Sequence, residues 1–300
     1  MVSPVVFANF WRAGKAKASA GFRRGDDDGS ARFARPPRGL GQVRTRITVA
    51  CQRALWTKRA ASWGKEGSAD LRHVVNEVLR NIPCDASLDV LDIGSGTGAL
   101  SLELAGRGAC VLAVDVSPAM TTLLSTEAAA RGLNNITTMT AAAELLELQP
   151  LSLDAVVSNY ALHHLHNGDK ATLVRAAATW LRPGGRLVIG DMMFGRGASE
   201  RDRRIIRAKV IALARKGPGG WWRIAKNSVR FLFRLQERPL PIEAWVTLLE
   251  NAGFVDVTAV PVVAEAAVVV GIRPAAPVER SHSGEILPKQ ERMSDRTIAT

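Results

Sequence analysis

Three hundred residues of 47% hydrophobic composition suffice for one large domain with a buried core plus appendages. No run approaches the roughly 18–20 apolar residues that span a bilayer, and Cys51, Cys84 and Cys110 form no CxxC pair. Neither an integral membrane protein nor a disulfide framework or zinc ribbon is indicated, and a reducing, cytoplasmic setting is expected. The net charge of +12 is unevenly spread: residues 1–64 hold 13 Lys or Arg against three acids, residues 196–238 again hold 13 against three, and the remainder is acidic. Two basic segments therefore flank an acidic centre, open to nucleic acid, a membrane surface or anionic ligands.

Residues 1–45 mix Arg, Gly, Ala, Ser and Pro without a period and are expected to be a disordered basic tail. An organellar leader is the other reading of that stretch, opposed by the Asp26 to Asp28 run. From Ile47 to Leu79 the pattern is helix-compatible, with Leu71, Val74, Val75, Val78 and Leu79 on a helical period and Trp56 and Trp63 ahead of them.

Residues 88–120 organise the rest. Leu88, Val90, Leu91 and Ile93 read as a buried strand, Gly94-Ser95-Gly96-Thr97-Gly98 as a tight turn, and Ala99 to Ala105 as a helix. Glycines without a Cβ let a backbone pass against a ligand. The next strand, Cys110 to Val114, closes at Asp115, 21 residues after Gly94, where an acid can accept from both hydroxyls of a ribose. An adenosine-containing cofactor is implied. The spacing is not the G-x-G-x-x-G of dinucleotide sites, and Asp92 before the turn would repel a pyrophosphate. A cationic ligand suits it better.

Ser117 and Pro118 open a second helix that Gly132 ends. Ile136 to Thr140 and Leu153 to Asn159 are strands, Asp169 to Leu181 is a helix, and Arg182-Pro183-Gly184-Gly185 is a turn leading into a strand over Arg186 to Gly190. After a basic stretch, a helix over Pro241 to Ala252 precedes strands Val255 to Val260 and Ala266 to Ile272. Alternating strands and helices predict an α/β fold with a doubly wound sheet. Residues 274–300 read as a flexible tail.

The acid-G-x-G-x-G turn, the acid closing the second strand, the segment Ser158 to Leu165 (SNYALHHL) and LRPGGRLVIGD together resemble the class I S-adenosylmethionine-dependent methyltransferases, most nearly those acting on quinones and small molecules. The resemblance spans roughly residues 50–273. It implies a seven-stranded Rossmann-like sheet with an antiparallel hairpin at its edge, and a methyltransferase domain over 46–273. S-adenosyl-L-methionine is the cofactor it implies, held by Asp92, Gly94, Ser95, Gly96, Thr97, Gly98, Asp115, Val116, Ala143, Glu144 and Asn159. Where that family has an acid facing the adenine this chain has Ala142. The Asn- or Asp-Pro-Pro-aromatic element of adenine-directed enzymes is missing after the fourth strand, which sets a small, apolar or aromatic acceptor ahead of RNA or DNA. A non-catalytic S-adenosylmethionine-binding regulator stays open as well.

His164 is the candidate general base, since an unperturbed imidazole titrates near 6.5; ordering the loop is its alternative role. Adjacent His163 and His164 are expected to point apart, and no metal site is expected. Residues 196–238 read as a basic helical lid, within which Arg223, Lys226, Arg230 and Arg234 recur at helical spacing over 221–236. That helix can cover an apolar pocket, lie in an anionic membrane interface as a peripheral contact, or meet an RNA backbone.

Overall fold

The computed structural model describes residues 40–60, 69–83, 87–195, 197, 199–215, 217 and 238–275. The expectations for residues 1–39, Trp63, Cys84, the amphipathic segment 221–236 and the tail from 276 onward lie outside the described residues.

Seven strands form one sheet: β1 (Asp89–Ile93), β2 (Cys110–Asp115), β3 (Ile136–Thr140), β4 (Leu153–Asn159), β5 (Leu181–Met192), β6 (Val255–Pro261) and β7 (Ala266–Ile272). Their order is β3-β2-β1-β4-β5-β7-β6. The first five run parallel, and β7 lies antiparallel between β5 and β6. The α/β sheet with its edge hairpin is thus as expected. It has the Rossmann-like arrangement, whose strand order reverses between β1 and β4 and opens a crevice at the carboxyl ends.

Helices α1 (Leu40–Arg59), α2 (Ala69–Arg80), α3 (Ser101–Gly106), α4 (Pro118–Ala130), α5 (Asn167–Trp180), α6 (Glu200–Ala214) and α7 (Ile242–Asn251) accompany the strands. Alternate residues of the central strands feed opposite faces, as a period of two requires. Val90, Val111, Ala113, Ala155 and Val157 pack with α2, α3 and α4. Leu91, Ile93, Leu112, Val114 and Val156 pack with α5 and α7, where Trp180, Trp245 and Leu249 are buried. The period in α2 places Val74, Val75, Val78 and Leu79 inside and leaves Arg72, Asn76 and Arg80 exposed; each such burial stabilises by about 1.5–3 kcal/mol. Ser117 caps α4 by accepting the Met120 N–H, with Pro118 at the first helical position.

Several boundaries differ from the sequence expectation: α5 begins two residues early, at Asn167, β5 runs on to Met192, and three further differences have a local reason. Helix α1 begins at Leu40, so the limit drawn at residue 45 falls inside it. Helix α3 starts two residues late, because Ala99 and Leu100 still belong to the turn. The Arg182 to Gly185 stretch is no separate turn but a bulge within β5: Leu181 already pairs with Leu153, and pairing resumes between Arg186 and Ala155. Gly184 there has φ of 79°, a left-handed backbone that suits a bulge. Arg182 bridges Asp154 at 2.6 Å and buried Asp89 at 2.9 Å. Burial opposes its charge, but the two carboxylates outweigh that and keep the guanidinium protonated. No described helix is long and apolar enough to cross a membrane.

Candidate active site

The glycine turn leaves β1 and is tied at once to β2. Gly94 and Ser95 donate their N–H groups to Val114 O at 2.8 and 3.0 Å, and the Gly98 N–H closes the turn on Ser95 O. Gly94 has φ of 73°, and a Cβ there would sit 2.2 Å from that of Ala161. Gly98 has φ of 94°, and its Cβ would meet Leu124 at 2.2 Å. Both positions therefore exclude side chains for conformational and steric reasons.

Asp115, at the end of β2, accepts the Gly96 N–H at 3.0 Å and the Ser117 N–H at 2.8 Å. Burial pushes its carboxyl up, and these two donors partly offset that. Asp92 is fully enclosed and accepts the Ser101 hydroxyl at 2.5 Å. Burial raises it to about 7, Ser101 works against the shift, and the Asp115 charge adds to it. An enclosed carboxylate of this kind gains most from a nearby cation.

One cavity opens over these groups. Its wall includes Asp92, Gly94, Ser95, Gly96, Thr97, Asp115, Val116, Ala143, Asn159 and His164, all singled out by the sequence. Two expected residues are not in the wall. Gly98 turns its Cα toward the α4 core, and Glu144 stands beside the cavity, its carboxyl raised by burial and by the Asp169 charge. Ala142 is buried, and the apolar Ala141 and Ala143 form the wall at this end.

Sequence reasoning missed Gln52, Leu71 and Tyr160 as wall residues. Helix α1 reaches across the cavity: Gln52 donates to His164 O at 3.1 Å, Arg53 to Val116 O at 3.2 Å, and Thr57 pairs with the Ser117 hydroxyl at 3.1 Å. Trp56 lines the cavity and meets His164 edge-on at 5.1 Å between ring centroids, so it belongs to the site.

His163 and His164 do not point apart. They sit in a single 3-10 turn (Leu162–His164) with ring centroids 4.0 Å apart. His163 is buried, its Nδ1 2.5 Å from Asp191 Oδ1, while its backbone N–H donates to Asp191 Oδ2 at 2.8 Å. The Met192 N–H also donates to Asp191. Burial pushes the Asp191 carboxyl up, but the charge and hydrogen bond of His163, the Met192 N–H and the His164 charge outweigh it, leaving Asp191 below the ordinary carboxylate value. The sequence signal for this acid was its place at the end of a strand adjacent to β4, where an α/β sheet gathers its site. Among the described residues no cluster of three or more His, Cys, Asp or Glu could hold a metal ion.

Two buried oxygens in this wall lack hydrogen-bond partners among the described residues: Ser95 Oγ and Asn159 Oδ1. A buried polar atom left bare costs about 1–3 kcal/mol, so such atoms mark where a polar ligand completes the protein. The Asp92 carboxylate suits an ammonium, the Ser95 hydroxyl suits a carboxylate, and the spare lone pairs of Asp115 suit a ribose, while Asn159 Oδ1 lies toward Gly190 of β5. The donor set thus fits an amino-acid nucleoside.

The comparisons agree with this arrangement. The profile of a family described as a methyltransferase domain matches residues 90–185. The chain is 33% identical over 135 residues to a ubiquinone biosynthesis O-methyltransferase of Xylella fastidiosa, over 43% of this chain and 54% of that protein. It is 31% identical over 147 residues to the uncharacterized protein YafE of Escherichia coli K12, over 47% of this chain and 70% of YafE. The chain spans about half the length of the ubiquinone-biosynthesis relatives it matches. Among solved structures, YcgJ of Bacillus subtilis superposes with a TM-score of 0.50 at 16% identity, over 68% of this chain and all of that one. The 1,6-didemethyltoxoflavin-N1-methyltransferase of Burkholderia thailandensis, solved with 1,6-didemethyltoxoflavin and S-adenosylhomocysteine, gives 0.52 at 17% identity, over 81% and 93%. These two likenesses speak to the fold. The matching domain profile and the sequence relatives show that the chain belongs to the S-adenosylmethionine-dependent methyltransferases.

Proposed function

We propose that this chain transfers a methyl group from S-adenosylmethionine to a hydroxyl of a small apolar or aromatic acceptor, such as a quinol. The observation that carries the reading is the single cavity in which Asp92, the bare Ser95 oxygen and Asp115 lead to His164. The bound cofactor supplies an electrophilic methyl on sulfonium. Asp92, the glycine turn and Asp115 would hold that cofactor, and His164 would take up the proton that the acceptor hydroxyl gives up on methylation. Asp191, held below the ordinary carboxylate value, grips the neighbouring His163 ring and so fixes the turn that carries His164. Alignment of acceptor and methyl supplies much of the remaining rate.

The quinol preference is supported by the Xylella relative's name and by the apolar cluster of Met192, Phe194 and Ile205 that backs Tyr160 in the cavity wall. The +12 charge favours a second reading, methylation of RNA, with the basic segment on the phosphate backbone; salt-sensitive RNA binding that maps to residues 196–238 would support it. Binding of the same segment to anionic vesicles would instead support peripheral contact with a membrane carrying the acceptor.

The deciding experiment is calorimetric titration of the protein with S-adenosylmethionine, S-adenosylhomocysteine and NAD in parallel. Binding of the two adenosyl ligands without NAD is expected. Failure of both to bind would remove the cofactor assignment and the enzymatic reading with it.

A further inference from the structure

The chain leaves β5 after Met192, passes through α6, and returns to the sheet by way of Arg238. Both ends of this insertion meet the histidine pair. On the exit side Asp191 holds His163 by its ring and its backbone. On the return side the Arg238 N–H donates to His163 O at 2.6 Å, and its guanidinium donates to His164 O at 3.3 Å. What secures Arg238 is Lys170, whose ammonium donates to Arg238 O and, at 3.4 Å, to Asn167 Oδ1.

Lys170 is costly where it stands. It has 0% exposure, and a buried ammonium is retained only with good acceptors. It also lies in the first turn of α5, which begins at Asn167, where the helix dipole disfavours a cation. An apolar side chain of similar length would fill the space without either penalty. Packing alone therefore does not account for a lysine; donation to the returning strand does.

We propose that Lys170 is a positioning residue for His164, acting through Arg238: it latches the returning segment at Arg238 onto the histidine turn and so sets where the base stands. The inference rests on the assignment of His164 as that base. The groups facing His164 are His163 from its own turn, Asp191 from β5, Gln52 and Trp56 from α1, and Arg238 from the return segment. Of these, Arg238 is the group to which Lys170 donates.

The test is the imidazole NMR spectrum of the full chain carrying 15N-histidine, with Lys170→Met and Arg238→Ala compared with wild type at one pH. Lys170→Met is expected to shift or split the His164 ring resonances and leave those of His73, exposed on α2, unchanged, with S-adenosylmethionine affinity within about twofold of wild type. Should Lys170→Met fail to fold, Arg238→Ala, which removes only the guanidinium contact, is expected to move the same resonances by a smaller amount. A His164 ring spectrum identical to wild type in the folded variants overturns the proposal. If wild type itself does not bind S-adenosylmethionine, the functional reading fails, and this spectral comparison still reports on the latch separately.

Discussion

The two halves of the cavity are built by different means. The half over β1 and β2 is made of backbone: a glycine turn whose N–H groups are bonded to Val114 and Asp115, residues some 20 positions away along one strand-helix-strand unit. The half beyond β4 is lined by Asn159, Tyr160, His164 and, from α1, Gln52 and Trp56, and is braced from behind by side chains brought from distant places, Asp191 on His163 and Arg238 on both histidine carbonyls. A backbone cradle suits a cofactor that is the same for the whole family, because it tolerates any side chain except at the turn itself. A side-chain constellation suits an acceptor and a base, which differ between members and are retuned by single substitutions.

Removing the Asp191 carboxylate tests this contrast with the largest expected effect. Asp191→Ala leaves His163 buried beside two unanswered N–H donors and is expected to lower stability by about 3–5 kcal/mol, as when one partner of a buried pair is lost. Urea unfolding reads it. A loss below 1 kcal/mol would mean that the acceptor half does not depend on this pair.

Gly94→Val attacks the other half. Its side chain meets Ala161 and its backbone is strained, so S-adenosylmethionine affinity should fall more than about 100-fold, roughly 2.7 kcal/mol. Calorimetry showing unchanged affinity would place the cofactor elsewhere.

A pH series sharpens the role of Asp92. Its folded-state value near 7 lies above the ordinary 3.8, so the neutral acid stabilises the fold below 3.8, and that contribution is lost as pH rises through 7. A cationic ligand favours the ionised form, so affinity for S-adenosylmethionine should climb up to about tenfold per pH unit below 7 and level off above it. Asp92→Asn should flatten this profile and raise the melting temperature at pH 8. A wild-type affinity constant from pH 5.5 to 8 would show that the carboxylate does not meet the cation.

The smallest effect is expected at Glu144. Standing beside the cavity and not in its wall, it should tolerate Glu144→Gln with affinity changed less than about twofold. A tenfold loss would return it to the adenine subsite that the sequence suggested.

What the sequence by itself determined is the local part. Apolar alternation in Val90 to Ile93 and Val111 to Val114, the cap at Ser117 with Pro118, and the stop at Gly132 each act within a few residues, so strands, helices and the glycine turn were legible with small boundary errors. The β5 bulge was not, because Arg182-Pro183-Gly184-Gly185 has turn chemistry, and only pairing of Leu181 with Leu153 makes it part of a strand. Tertiary structure alone decided that Asp191 answers His163 from 28 residues away, that Lys170 is enclosed under Arg238, that Glu144 misses the wall, and that Trp56 closes on His164. Neighbouring parallel strands are joined through a helix, so the positions that meet at their ends depend on register and crossover packing, which no local pattern encodes.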